Sequence, residues 1–275
     1  IVTGGMIGSR KGINVPGVDL SISSLTPKDK KDVLFGIKNN VDFIALSFVQ
    51  NKNDILGLRK ILNKHKSKAH IIAKIETEAA VKNIDDIIEV SDGIMVARGD
   101  MAIEVGAERV PMIQKMIIDK CNELGKPVIT ATQMLDSMEN SPVPTRAEVS
   151  DIANAILDGT DAIMLSGETT IGNYPVRAVE TMTSIAQRTE PYSKNAGLEY
   201  TGIEAPITDT LSHAAVMIAN ETNAELIVVI TDTGHMARMV SRYRPEQALV
   251  AIAQYPETQK RLALSYGCYS VYLKL

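Results

Sequence analysis

The chain has 275 residues, 45% of them hydrophobic, and a formal charge of −4, enough for one large domain or two ordinary ones with a sizeable core. So mild an acidic balance gives no electrostatic footing for nucleic acid or an anionic membrane, and the longest apolar runs are strand-sized rather than membrane-spanning. The two cysteines, Cys121 and Cys268, stand far apart in no metal-ligand spacing, which points to a reducing, cytoplasmic compartment.

In chain order, the opening Ile1-Val-Thr-Gly-Gly-Met-Ile-Gly-Ser-Arg10 starts without Met and reads as the interior of a longer protein. Thr26-Pro27 marks a helix start, with proline at a first helical position. Apolar, β-branched runs then alternate with helix-length amphipathic stretches, the rhythm of parallel βα units. The expected strands are 42–47, 70–75, 93–97, 127–131 and 161–165, each nearly all apolar, as strands covered on both faces are. Between them Asn53 is expected to cap a helix carrying Ile55, Leu58 and Leu62. Residues 112–124 and 176–188 repeat apolar positions at helical spacing. The twelve methionines are expected to pack in the core.

From 191 to 206 the pattern gives way to a polar linker containing Gly and Pro. A second α/β unit is expected beyond it: helix 209–222, strand 225–231, a helix from His235, strand 248–253, helix 257–265 and strand 269–273. The division is therefore residues 1–17, residues 18–190, and residues 191–275 as a partial three-layer α/β domain.

Polar residues gather just after the strand ends: Lys74 and Glu76, Arg98 to Asp100, Thr132-Gln133, and Ser166-Gly167-Glu168. In a (β/α)₈ barrel the carboxyl ends of the strands carry the chemistry. Five strands fall short of the eight that a closed barrel needs, so the first part of this chain reads as the later part of a TIM barrel. Lys74 and Glu76, two apart, point the same way on a strand, and Asp100 follows the next strand. Two carboxylates at a barrel mouth suit a hard divalent cation, and a lysine beside them suits a phosphoryl group in transfer. Spacing alone equally allows a buried Lys–Glu ion pair.

Arg98-Gly99-Asp100 through Glu104 reads as strand end, tight turn and short helix. Gly99 admits close approach of a ligand to the backbone, and the helix start offers amides to a carboxylate or phosphate. The hydroxyls of Thr132 and Ser166 can donate to a ligand or relay a proton, or simply cap helices. His65, His70, His213 and His235 lie away from these segments, which argues against Ser-His-Asp hydrolysis. Arg146 and Glu148 open a helix and read as structural.

Taken together, Lys11-Gly-Ile-Asn-Val-Pro-Gly17, Ile72-Ala-Lys-Ile-Glu76, Met95-Val-Ala-Arg-Gly-Asp100, Thr130-Ala-Thr-Gln-Met-Leu135, Thr145-Arg-Ala-Glu148, Asp151-Ile-Ala-Asn-Ala155, Ile163-Met-Leu-Ser-Gly-Glu-Thr169 and Val240-Ser-Arg-Tyr-Arg-Pro245 resemble the pyruvate kinase family, over the whole chain. The resemblance implies the glycolytic transfer of a phosphoryl group from phosphoenolpyruvate to ADP, giving pyruvate and ATP. It implies Glu76 and Asp100 as ligands of Mg²⁺ (or Mn²⁺) and Lys74 on the phosphoryl group. Backbone groups around Ala97, Arg98, Gly99 and Asp100, with the Thr132 hydroxyl, would hold the substrate carboxylate. Ser166 would serve the protonation of the enolate. It further implies K⁺, with ligands outside this chain, and a homotetramer in which the Arg146 helix and the 209–222 helix meet neighbours.

Some features depart from the family. Three barrel strands and most of a lid domain are not matched, so the chain alone is expected to be inactive. Thr170 and Ile171 stand where a nucleotide-side lysine is frequent. His235 and Met236 replace an arginine and a small hydroxyl residue in a loop that resembles an effector phosphate loop. Another metal-dependent enolpyruvate barrel, a lyase or aldolase, or a non-catalytic binding fragment, are the alternative readings.

Overall fold

The computed structural model describes residues 25–193 and 206–274. The opening run, the 11–17 motif and most of the 191–206 linker lie outside the described residues.

Thr26 caps α1 (Pro27–Lys38) through a reciprocal box. Its side chain accepts the Asp29 amide, and Asp29 accepts the Thr26 amide at 2.8 Å. There follow β1 (Phe43–Leu46), α2 (Lys52–Lys64), β2 (His70–Ile75), α3 (Glu78–Lys82), α4 (Ile84–Val90), β3 (Gly93–Ala97) and α5 (Arg98–Val105). Next come α6 (Val110–Glu123), β4 (Val128–Ala131), α7 (Arg146–Leu157), β5 (Ala162–Met164), α8 (Gly167–Thr170) and α9 (Pro175–Thr189). The expected strands 70–75 and 93–97 are met to the residue, and the other three lose a residue at one or both ends. Asp161, just before β5, accepts the Val128 amide on its carboxylate at 2.9 Å.

Two local expectations are corrected. The cap of α2 is Asn51, which shares a capping box with Asp54, whereas Asn53 lies inside the helix. Arg98 does not precede a turn, because α5 begins directly at Arg98 after β3.

The five strands form one parallel sheet in the order β1-β2-β3-β4-β5. The central strands β3 and β4 are buried throughout, while the outer β1 and β5 stay half-exposed. One face packs Ile71, Ala73, Ile75, Ile94, Val96 and Val128 against the helices, including Ile55, Leu58 and Leu62 of α2. Each of the fully buried Ile, Leu and Val side chains among them contributes roughly 1.5–3 kcal/mol. The opposite face gathers Ile72, Met95, Ile129 and Ala131. Lys74, two residues after Ile72 and paired in register with Met95, lies on this inner face. Met101, Met134 and Met138 are fully buried as expected, but Met112 is 67% exposed and packs in no core.

The second unit holds α10 (Pro206–Glu221), β6 (Leu226–Thr231), α11 (His235–Ser241), β7 (Ala248–Ala253), α12 (Pro256–Leu262) and β8 (Cys268–Tyr272), with a parallel β6-β7-β8 sheet. Helices cover one face only, through Val216, Ala237, Val240 and Leu262 on Ile227, Val229, Leu249 and Ala251. Among the described residues the other face, with Leu226, Val228, Ile230, Tyr269 and Val271, is open. Among the described residues the unit therefore shows two of the three expected layers.

This unit docks on the amino-terminal end of the first sheet. Buried Arg244 donates to Asp161 and to Asn122, each at 2.9 Å, and to the Gly159 carbonyl, and its guanidinium stacks 4.6 Å over the Tyr266 ring. Arg242 reaches the Glu123 carbonyl and Asp209. Lys68 pairs with Glu257 at the same seam.

His70 starts β2 beside this seam. Burial holds its imidazole down to about 4, against the pull of Asp92 and with help from Arg261, Arg238 and Arg59. The folded value lies below the unfolded 6.5. This contribution is therefore complete above the unfolded value and is lost as pH falls toward the folded one. We expect the melting temperature of the wild type to drop by a few degrees more than that of His70→Gln between those two pH values. Parallel melting curves across that range would contradict the assignment.

Candidate active site

The carboxyl ends of the five strands form one rim. At β1, Ser47 and Phe48 follow the strand. Phe48 adopts a left-handed backbone (φ 52°), which aims its amide at Glu76 Oε2, 2.6 Å away. At β2, Lys74 Nζ lies 2.9 Å from Ser47 Oγ and 2.6 Å from Glu76 Oε1. Glu76 is 1% exposed, and its Oε1 takes no aligned hydrogen bond. A buried carboxylate in this state keeps a lone pair for another electropositive partner.

Asp100 sits in the first turn of α5, one strand over. Its carboxylate makes no hydrogen bond or ion pair with a described residue. The amides that open α5 have no side-chain cap, since Ala97 occupies the cap position. One is engaged: Gly99 N–H donates to Thr132 Oγ1 at 2.8 Å. A Cβ at Gly99 would meet Thr132 Oγ1 at 3.5 Å, an ordinary contact. The protein's own packing therefore does not demand glycine there.

Thr132 (φ 70°) and Gln133 (φ 53°) both lie in the left-handed region after β4. Such residues cost about 1–3 kcal/mol each and persist where surrounding contacts over-determine them. Those contacts come from Arg98. Its guanidinium donates to the Thr132 carbonyl at 2.6 Å and the Gln133 carbonyl at 3.2 Å, and pairs with Asp151 of α7 at 2.6 Å. At β5, buried Glu168 accepts the amides of Leu135 (3.0 Å) and Ser166 (2.7 Å), tying the two loops together. Ser166 caps α8 by position only, and its hydroxyl bonds no described residue.

Residues 1–179 match the family described as pyruvate kinase, barrel domain, and residues 209–274 match pyruvate kinase, alpha/beta domain. The chain belongs to the pyruvate kinase family. It is 49% identical over 274 residues to a pyruvate kinase of Bacillus licheniformis, covering 98% of this chain and 47% of that protein. It is also 49% identical over 271 residues to one of Clostridium acetobutylicum, covering 97% of this chain and 57% of that protein. The chain spans about half the length of these curated relatives.

Within this pyruvate kinase fold, the structure brings Lys74 and Glu76 into contact and joins Gly99 to Thr132. Ser166 and Asp100 stand on the same rim without bonds to them. The side chain of Arg98 is committed to the Thr132–Gln133 backbone, Gln114 and Asp151, so only its backbone is available to a substrate. Sequence reasoning missed Ser47 and the Phe48 amide. Ser47 was within reach of the strand-end rule applied to the other segments. The Phe48 amide was not, because its aim depends on a backbone angle.

Arg146, expected to be structural, is exposed at the start of α7. Its neighbour Glu148 instead binds Ser137 and Thr145. Burial alone would raise the Glu148 carboxyl, but these bonds outweigh it and hold it below its usual value.

Proposed function

We propose that this rim is the later half of a site that transfers a phosphoryl group from phosphoenolpyruvate to ADP. The observation that carries the reading is the buried Glu76, gripped on one oxygen by the Phe48 amide and facing Lys74 with the other. An ammonium held at 2.9 Å by Ser47 has few ways to turn from the inner face. It is placed to neutralise charge on a transferring phosphoryl group, a reaction that mostly needs positioning and electrostatic stabilisation.

A divalent cation such as Mg²⁺ fits the donor set. Glu76 Oε1, in ion-pair contact with Lys74 but without an aligned hydrogen bond, and the Asp100 carboxylate, which bonds no described residue, are hard oxygen donors. Among the described residues there is no group of three or more His, Cys, Asp or Glu that could hold a metal by itself; Mg²⁺ typically takes one or two carboxylates and completes its shell with waters and substrate oxygens. When bound, such an ion would supply charge neutralisation and a bridge to substrate oxygens.

The other residues act on the substrate's organic half. The uncapped start of α5 offers amides to its carboxylate, with the Gly99–Thr132 bond opening to admit it. Arg98 positions Thr132 by holding its carbonyl. The Ser166 hydroxyl is free to pass a proton to the enolate. A K⁺ requirement, a homotetramer contacting through α7 and α10, a cytoplasmic setting and the domain division at 17 and 190 belong to the same reading. No helix among the described residues is long and apolar enough to cross a membrane.

Mn²⁺ binding tests this reading. In a protein of full family length, Glu76→Gln and Asp100→Asn should each weaken Mn²⁺ about tenfold or more, as followed by water proton relaxation. Unchanged affinity in both variants would overturn the site.

A further inference from the structure

The seam between the two units contains a second, chemically distinct place. A narrow crevice, open to solvent, runs between the turn after α6 and the face of α11. Lys126, Arg238, Arg242, Ser241, Ser265 and Asp161 line it. Its charges are unbalanced. Asp161, the carboxylate in the lining, is taken by Arg244 at 2.9 Å and by the Val128 amide at 2.9 Å. Arg242 has its own partner, Asp209, yet its Nε is buried without a hydrogen bond. Among the described residues Lys126 donates to the carbonyls of Ser91 (2.6 Å) and Glu89 (3.2 Å) and to no other group. Arg238 donates, among the described residues, to the Thr233 carbonyl alone, at 3.3 Å.

Two cations therefore line a partly buried cleft with no carboxylate of a described residue in ion-pair contact. Asp92, which lies outside the lining, acts on both cations electrostatically but is engaged by Arg59 at 2.7 Å and the Ile71 amide at 2.7 Å. Burying a charge without a counter-ion is costly. Burial, opposed in part by Asp92, pulls both Lys126 and Arg238 below their usual values, and His235 beside them is lowered by burial and by these two cations. The Ser265 hydroxyl bonds no described residue and faces the same space.

We propose that this crevice binds a small phosphate-class oxyanion, held by Lys126, Arg238 and Arg242 Nε, with Ser265 as a further donor. Guanidinium and ammonium groups from two structural units converging on one anion would fasten α11 to the α6–β4 turn. The site is separate from the rim, which lies at the opposite ends of the strands. It is also separate from the Thr231–Gly234 turn, whose Thr231 hydroxyl is closed on the Gly234 amide at 2.9 Å.

Titration of residues 1–275 with inorganic phosphate at constant ionic strength, followed by ³¹P line width and by melting temperature, tests this. A parallel arm with glycerol 3-phosphate separates free phosphate from a phosphomonoester. Saturable binding below about 10 mM is expected, weakened about tenfold by Arg238→Gln and partly restored by Arg238→Lys. Lys126→Gln, at a half-exposed position, serves as the second variant should Arg238→Gln fail to fold. Binding should survive Lys74→Met and Thr231→Val. Absence of saturation, indifference to both crevice substitutions, or loss with either control substitution would overturn the proposal.

Discussion

Residues 1–275, purified alone, should release no measurable pyruvate from phosphoenolpyruvate and ADP. The described strands form an open parallel sheet of five, with β1 and β5 as its edges. A closed barrel of this type needs eight strands at matched tilt and stagger. Sheet edges that no described residue covers leave backbone groups unpaired and invite association with other chains, and the apolar face of the β6-β7-β8 sheet, open among the described residues, adds to that tendency. A rim that is complete on one side only cannot surround a phosphoryl group. Losing a single electrostatic contact to a reacting group costs about 10²–10³ in rate, and an unclosed site also admits water. The measurement is pyruvate release coupled to a reductase. A rate near that of an intact relative would refute the expectation. Activity recovered on adding the remaining length of the family's barrel would support it.

Lys74→Met, made in a protein of full family length, should lower kcat by about 10²–10³ while changing the KM for phosphoenolpyruvate far less. The ammonium sits where charge shifts during transfer, so its effect belongs to the transition state more than to binding. The substitution also removes the ion-pair partner of a carboxylate that is 1% exposed, so the melting temperature must be followed alongside. Lys74→Arg should keep the fold with intermediate activity. Ser47→Ala, which frees the ammonium without removing it, should cost about tenfold. Near-normal kcat in Lys74→Met would show that the lysine only neutralises Glu76.

The sequence alone determined the strand rhythm and the places where chemistry could stand. The runs 70–75, 93–97 and 248–253 coincide with β2, β3 and β7. β3 and β7 carry no polar residue and β2 only His70 and Lys74, so these short apolar runs stand out from the polar segments around them. The rim was legible for a related reason: in parallel βα units every strand delivers its next residues to the same end. The Thr26-Pro27 helix start was readable because caps act within three residues, although the cap of α2 fell at Asn51 rather than at the expected Asn53.

Tertiary structure decided what makes those positions a site. The Phe48 amide meets Glu76 across 28 residues, and Arg98 holds the Thr132 carbonyl across 34. The left-handed backbone at Phe48, Thr132 and Gln133 runs against local preference and is sustained only by such distant contacts. Arg244 joins the two units by reaching Asp161, 83 residues away. Local propensity and periodicity describe what a segment can become beside its own neighbours. Which carboxylate is buried against which amide, and which cation is left without a counter-charge, depends on elements that meet only when the chain has packed.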